Sequence, residues 1–344
     1  MKIKKQILLE MEGIYAVGCI RRGGRRKLLV STEMQGSCWE IDLHNHEKIR
    51  VWNGPGGVMG YAATHTQEGT FWAIQNFFPV FDSKHAVVVR ACWHKELGWS
   101  VQNMINLPYI HRIDVIQTDL GDHFVGATLC SSKQFVDDWS DPGKVYVGRF
   151  DKNTCELEEC HPLLEGLNKN HGYFRNELSD PLHAYIGAEN GIFRIGVPTR
   201  AHPQWSCDKL CDEATGDVAL GDIDGDGVQE MLVVQPFHGE SVCIKRLVNG
   251  IYTTVWRYKG QSKLGHATWA GTLLGKPAFL FGFREGRGEL VMVTWENDIY
   301  KTTEIDAGIS VANVCVICDG DKDHILLSNY CQGQALLYTL TLEK

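Results

Sequence analysis

The feature that most constrains this chain is a repeat. Short apolar segments separated by Gly, Asp and Asn turns recur at a period of roughly 45 to 50 residues, about seven times over. The first repeat runs from Gly13-Ile14-Tyr15-Ala16-Val17 through Lys27-Leu28-Leu29-Val30 and Cys38-Trp39-Glu40-Ile41 to Ile49-Arg50-Val51-Trp52. Later repeats open near Val58, His111, His171, Val218, His266 and Val311. Four-stranded units repeated this way predict an all-β, seven-bladed β-propeller, read as a single domain over 1–344. The seventh repeat has only three strands before Lys344. The segment 5–10 (Lys-Gln-Ile-Leu-Leu-Glu) is then expected to pair with the last blade and close the ring.

The fifth repeat contains Gly221-Asp222-Ile223-Asp224-Gly225-Asp226-Gly227-Val228-Gln229-Glu230. Carboxylates at alternate positions of a tight loop can aim at one point, and Gly227 permits the sharp turn. Asp222, Asp224, Asp226, the Val228 carbonyl and Glu230 therefore read as ligands of a structural calcium ion. Apolar β-type segments flank the loop on both sides, so it is strand–loop–strand, not the helix–loop–helix of an EF-hand. A plain Asp/Gly turn without metal is the simpler alternative.

In a propeller the first strand of each blade lines the central channel. The loop leading into it and the loop between strands two and three open on one face, with the calcium loop on the other. His111, His171 and His266 share a position at the start of first strands. They are expected around the channel mouth, as ligands of a divalent transition metal (zinc, manganese or similar), of magnesium, or of a substrate carbonyl. The loops expected to crown that mouth supply His238, Lys133, Asp138 and Arg284 as candidate catalytic groups. They also supply Gln75, Asn76, Trp139 and Glu33 as candidate substrate contacts. Each is ordinary loop polarity taken alone; together they suit a polyol and proton transfer.

Composition narrows the partners. With 34 Lys and Arg against 42 Asp and Glu, the net charge of −8 argues against a nucleic-acid backbone. The one basic run, Arg21-Arg22-Gly23-Gly24-Arg25-Arg26-Lys27, straddles Gly-Gly and reads as a hairpin tip. No segment approaches the roughly 20 apolar residues of a membrane span, and the N-terminal stretch lacks a signal-peptide pattern. A cytoplasmic protein without membrane attachment is expected. The 12 scattered cysteines suit a reducing compartment. The Cys207/Cys211 and Cys315/Cys318 pairs lack a second pair at zinc-finger spacing. There is no Gly-x-Ser-x-Gly, P-loop or dinucleotide fingerprint in a strand–helix setting.

The loop 221–230 resembles the calcium loops of FG-GAP or VCBS repeats. That loop, His111-Arg112-Ile113-Asp114, the 137–146 segment, His171-Gly172-Tyr173-Phe174 and Pro236-Phe237-His238-Gly239 together resemble the propeller domain of aldos-2-ulose dehydratase and its relatives. The resemblance implies a lyase or dehydratase, or an isomerase, acting on a keto-sugar. His238 would take a proton beside a carbonyl, Lys133 or Arg284 would stabilise the enolate, and hydroxide would leave by β-elimination. A uronide lyase and a non-catalytic glycan- or protein-binding propeller are the alternatives. The chain leaves no room for the further β-sandwich domains of the larger fungal enzyme. A small carbohydrate is the expected partner, and a homo-oligomer is one way to complete the pocket.

Overall fold

Leu28, Leu29 and Val30 are all completely buried, as are Leu232 and Val233, and Leu280 and Phe281. A strand apolar on both faces must be covered on both, so each sheet has to stack against another. The computed structural model describes residues 1–343 apart from 65–66, 79–81, 152–153 and 155. Its described residues form strands and turns with no helix, and so no helix long and apolar enough to cross a membrane.

The chain opens with β1 (Lys2–Glu10). The first complete sheet is β2 (Ile14–Arg22), β3 (Arg25–Thr32), β4 (Cys38–Asp42) and β5 (Lys48–Trp52). The second is β6 (Tyr61–Ala62), β7 (Thr70–Gln75), β8 (Val87–His94) and β9 (Gly98–Asn106). The third is β10 (Ile110–Thr118), β11 (Gly121–Thr128), β12 (Gly143–Phe150) and β13 (Leu157–Leu167). The fourth is β14 (Gly172–Asn176), β15 (Asp180–Ala188), β16 (Gly191–Gly196) and β17 (Ser206–Cys211). The fifth is β18 (Asp217–Gly221), β19 (Glu230–Gln235), β20 (Ser241–Val248) and β21 (Ile251–Arg257). The sixth is β22 (Lys263–Leu273), β23 (Lys276–Glu285), β24 (Leu290–Glu296) and β25 (Ile299–Asp306). The last is β26 (Val311–Asp319), β27 (Lys322–Asn329) and β28 (Gln334–Thr341), with β1 beside β28 as its fourth strand.

Each sheet is an antiparallel meander of four strands, and the seven make a β-propeller arrangement as the period predicts. Two compact units are distinguished. One comprises Met1–Leu9, His171–Gly196 and Cys207–Lys344; the other Glu10–Asn170 and Val197–Ser206. In the first unit the leading strands β14, β18, β22 and β26 pack side by side in that order. Between them lies a core that includes Val218, Leu220, Leu232, Ile244, Phe279 and Phe281. Outer strands behave differently. Along β21 exposed and partly covered residues alternate, the signature of a strand with one face in water.

One expected strand is shorter than its sequence suggests. The segment from Val58 reads as a strand, yet only Tyr61 and Ala62 pair within their own sheet. Just upstream, Gly57 N donates to Met34 O at 3.2 Å and Val58 N to Thr32 O at 3.0 Å. The neighbouring sheet thus takes up the amides that a longer β6 would have used.

Candidate metal centre

The first unit brings three imidazoles together: His171, His238 and His266. One ring nitrogen from each lies within 4.8 Å of the other two. Their ring centroids form a near-equilateral triangle, 4.9 Å between His171 and His238, 5.0 Å between His171 and His266, and 5.1 Å between His238 and His266. His171 and His266 are buried and His238 is half-buried.

Local structure explains each position. His266 sits in a β-bulge, where the β22–β23 register slips between Gly265 and Ala267. A bulge bends the strand and re-aims a side chain. The same slip recurs at Tyr15, His111 and Ala312 in other leading strands, so it belongs to the repeat. His171 directly precedes β14, and its amide bonds Gly187 O at 3.2 Å. His238 comes from the β19–β20 turn, in a left-handed backbone conformation with φ 52°. Gly239 N closes that turn on Pro236 O at 2.9 Å, and a Cβ at Gly239 would lie 2.1 Å from Gln235 O, so only glycine fits. Gly265 N then donates to Gly239 O at 2.8 Å, lashing the turn to the strand that carries His266.

The other ring nitrogens fix the tautomers. His171 Nδ1 lies 3.2 Å from Gly216 O and 3.3 Å from Asp217 Oδ2, and His266 Nδ1 lies 2.6 Å from Ala312 O. Carbonyl and carboxylate oxygens only accept here, so Nδ1 carries the proton and Nε2 presents its lone pair. Each of these anchors sits at the lead-in of the next sheet. Phe237 stacks on the His238 ring at 3.8 Å and meets His171 edge-on at 5.2 Å, giving the cluster an apolar wall. Neutral imidazoles with a carbonyl or carboxylate behind them form the donor set of a borderline divalent cation. A tetrahedral ion at ~2.0–2.1 Å would hold three and keep its fourth position open.

The 221–230 loop lies at the other end of the same sheet, between β18 and β19. Carboxylate oxygens of Asp222, Asp224 and Glu230 come within 4.8 Å of one another. Burial pushes the Glu230 carboxyl up to about 7, against the Ile223 amide that bonds it. Asp226 lies outside that close group and accepts from Val228 N at 2.8 Å. Val228 itself is exposed.

The remaining candidates are not members of these close groups. His111, expected as a third ligand with His171 and His266, belongs to the other unit, buried with its ring edge against Phe77 at 5.2 Å. His238, expected as the base, takes its place in the trio. Lys133, Asp138, Trp139, Gln75, Asn76 and Glu33 also belong to that other unit. Lys133 Nζ donates to Val136 O at 2.8 Å and Asp138 O at 2.7 Å and sits 3.3 Å over the Trp139 ring. Burial lowers its pKa. The Asp138 carboxylate accepts from Ser140 Oγ at 2.6 Å and from Gln134 N at 3.0 Å. These residues knit their own loop. Gln75 ends β7, buried, and the Asn76 amide bonds Gly56 O at 3.0 Å. Glu33 N bonds Gly13 O at 2.9 Å. Arg284, in the first unit, lays its guanidinium 4.1 Å over Tyr330.

Two contributors escaped the sequence reading. Asp217 backs His171, and its signal was its place at the lead-in of the fifth repeat, where other repeats carry histidine. Arg246 reaches the carboxylate loop, and its signal was strand register: Met231 pairs with Lys245, which sets Arg246 beside Glu230.

No protein-family model matches the chain, and no curated protein matches it. Solved structures share its fold. One is the PQQ-bound form of aldose sugar dehydrogenase from Streptomyces coelicolor, at 10% identity and TM-score 0.51, covering 98% of both chains. Another is the apo-form of soluble aldose sugar dehydrogenase from Escherichia coli, at 13% identity and TM-score 0.52, covering 98% of this chain and 99% of that one. The Dos1 propeller aligns at 9% identity and TM-score 0.57, over 92% of this chain and 76% of its own. At these identities the likeness is one of fold. It supports the seven-bladed propeller and corrects the functional expectation. The sugar-handling proteins among these structures are aldose sugar dehydrogenases, which overturns the expectation of a keto-sugar β-elimination and its uronide variant.

Proposed function

We propose that His171, His238 and His266 hold a divalent transition metal, and that the chain is an enzyme oxidising a small carbohydrate at that centre. The observation that carries the reading is the near-equilateral imidazole triangle with Nδ1 of His171 and His266 already committed to Gly216 and Ala312. A bound cation supplies Lewis acidity, lowering the pKa of a sugar hydroxyl placed in the open position. His171 and His266 would hold the ion from the sheet, Phe237 would exclude water on one side, and half-buried His238 would complete the donor set next to solvent, which can take up the hydroxyl proton. The hydride on the same carbon goes to an external two-electron acceptor of quinone or dye type. The carbohydrate class follows the aldose sugar dehydrogenases that share the fold.

The quinone cofactor of the Streptomyces neighbour does not suit this trio. PQQ carries three carboxylates and calls for cations, whereas the acidic group beside His171 is Asp217. Nearby cations are engaged, Lys245 with Glu213 at 2.8 Å and Lys263 with Glu240 at 3.8 Å. No step is routed through that cofactor. The 221–230 loop, on its resemblance to FG-GAP loops, we read as structural.

The test is a cobalt titration followed by visible spectroscopy, with a dye-reduction assay over a panel of aldoses. Tetrahedral cobalt bands should form in the wild type and vanish in His171→Ala and His238→Ala. If the variants take up cobalt as the wild type does, the metal centre is wrong. If cobalt binds at the trio and no aldose reduces the dye, the centre stands and sugar oxidation falls.

A further inference from the structure

Around the 221–230 loop, the atoms a calcium ion would coordinate already face a cation of the chain itself. Asp222 accepts two backbone amides, Gly225 N at 2.7 Å on Oδ1 and Gly227 N at 2.9 Å on Oδ2. Asp224 Oδ1 accepts from Asp226 N at 3.1 Å, Asp226 Oδ1 from Val228 N at 2.8 Å, and Glu230 Oε2 from Ile223 N at 3.0 Å. That leaves one oxygen on each of Asp224, Asp226 and Glu230, and Arg246 addresses all three. Its Nη2 bonds Asp224 Oδ2 and lies 2.6 Å from Asp226 Oδ2, and its Nε stands 3.5 Å from Glu230 Oε1.

We infer that Arg246 is the resident cation of this loop, and that calcium enters only by displacing its guanidinium. The physical reason is competition for the same oxygens. A guanidinium donates in a planar fork and can bridge two carboxylates, which fixes the loop much as an ion would. Calcium needs six to eight oxygens around one point, and it cannot collect Asp224 and Glu230 while Arg246 stands between them. The guanidinium also fits imperfectly. Glu230 is completely buried, and its Oε1 makes no hydrogen bond among the described residues. A carboxylate oxygen left short in this way still favours a small hard cation once the arginine swings out. Arg246 is about one-third exposed, so it has somewhere to go. The loop is thus a site of low calcium affinity in the intact chain and a tighter one when the guanidinium is absent.

The test compares wild type, Arg246→Gln and Arg246→Lys after removal of bound metals and dialysis. Calcium affinity is read by isothermal titration, and Tm is read with and without 1 mM calcium, a level on the order of that of weak extracellular calcium modules. Calcium avoids imidazole ligands, so the histidine trio stays silent. Wild-type Tm should move by less than ~1 °C on adding calcium. Arg246→Gln should melt several degrees lower without calcium, recover with it, and bind calcium at least ~10-fold more tightly, with both effects following from RT ln(1 + [L]/Kd). A wild type that gains several degrees from calcium, or an Arg246→Gln that binds it no better, overturns the inference. Should Arg246→Gln fold in neither condition, Arg246→Lys decides. Its compact ammonium lacks the planar fork that holds two carboxylates at once, so tighter calcium binding than wild type supports the inference and equal binding sinks it.

Discussion

Lys5 Nζ donates a 2.5 Å hydrogen bond to Asp306 Oδ2, across 301 residues of sequence. Tyr338 OH donates to the same oxygen at 2.7 Å. One carboxylate therefore joins β1, β25 and β28. The pair is partly exposed, so Lys5→Ala should cost only about 0.5 kcal/mol. Removing residues 2–9 is a different matter, because it uncovers the edge of β28. That deletion should aggregate on concentration where Lys5→Ala stays monodisperse by light scattering. An equally soluble deletion would show that β1 is dispensable.

The same carboxylate sets a pH dependence. Burial alone would raise the Asp306 pKa, but the hydrogen bonds from Lys5 and Tyr338 outweigh it and hold the group below its usual value. A folded pKa below the unfolded one contributes stability above pH ~4, lost as pH falls through the lowered value. Asp306→Asn should therefore lower stability at pH 7 and flatten the acid limb of the Tm profile. A mutant whose acid limb parallels the wild type would contradict this assignment.

Lys245 is completely buried, with its ammonium 2.8 Å from Glu213, which also accepts from Gln235 Nε2 at 3.1 Å. The two ends of this pair are not equivalent. Glu213→Ala strands a buried charge and should cost about 1–3 kcal/mol. Lys245→Met removes that charge and leaves only a half-exposed carboxylate, so it should stay within ~1 kcal/mol of wild type. Because Gln235 begins the turn that carries His238, Glu213→Ala should also weaken cobalt binding by roughly tenfold. Denaturant melts and cobalt titrations of the two variants separate these effects. Equal destabilisation by both would refute the asymmetry.

Asp217 lies behind His171, so Asp217→Asn tests its part in holding the ring. Metal affinity should drop by about 10- to 100-fold with all three imidazoles still present. The thermal transition of the metal-free protein should change far less than the affinity. An unchanged affinity would show that Asp217 is not needed to hold the His171 ring.

The repeat could be read from the chain because it is written locally. Apolar runs such as Leu28-Leu29-Val30 and turn glycines announce strands one at a time, and the seven sheets follow from counting them. The site could be read only in part. His171, His238 and His266 were recognised as candidates, but which of them meet depends on distant backbone bonds such as Gly265 N to Gly239 O. His111 shares its bulge position with His266 yet lies in the other unit, so positional equivalence alone did not select the trio. Arg246 was overlooked because its role follows from β19–β20 register, which no short motif displays. The lyase expectation rested on a family resemblance and on imidazoles at equivalent repeat positions, which suit more than one chemistry, and it had to be corrected.

The place of β1 has a consequence for synthesis. Its hydrogen-bonding neighbour, β28, is made after the strands of the other six sheets, so a growing chain carries β1 with no mate while they take shape behind it. An unmatched strand invites strangers. Lys2, Lys4 and Lys5 stud β1 with positive charge, and all three are exposed even in the finished fold. Charges on a waiting strand repel other copies of itself. By that physics the lysines are expected to disfavour pairing between nascent copies until β28 arrives.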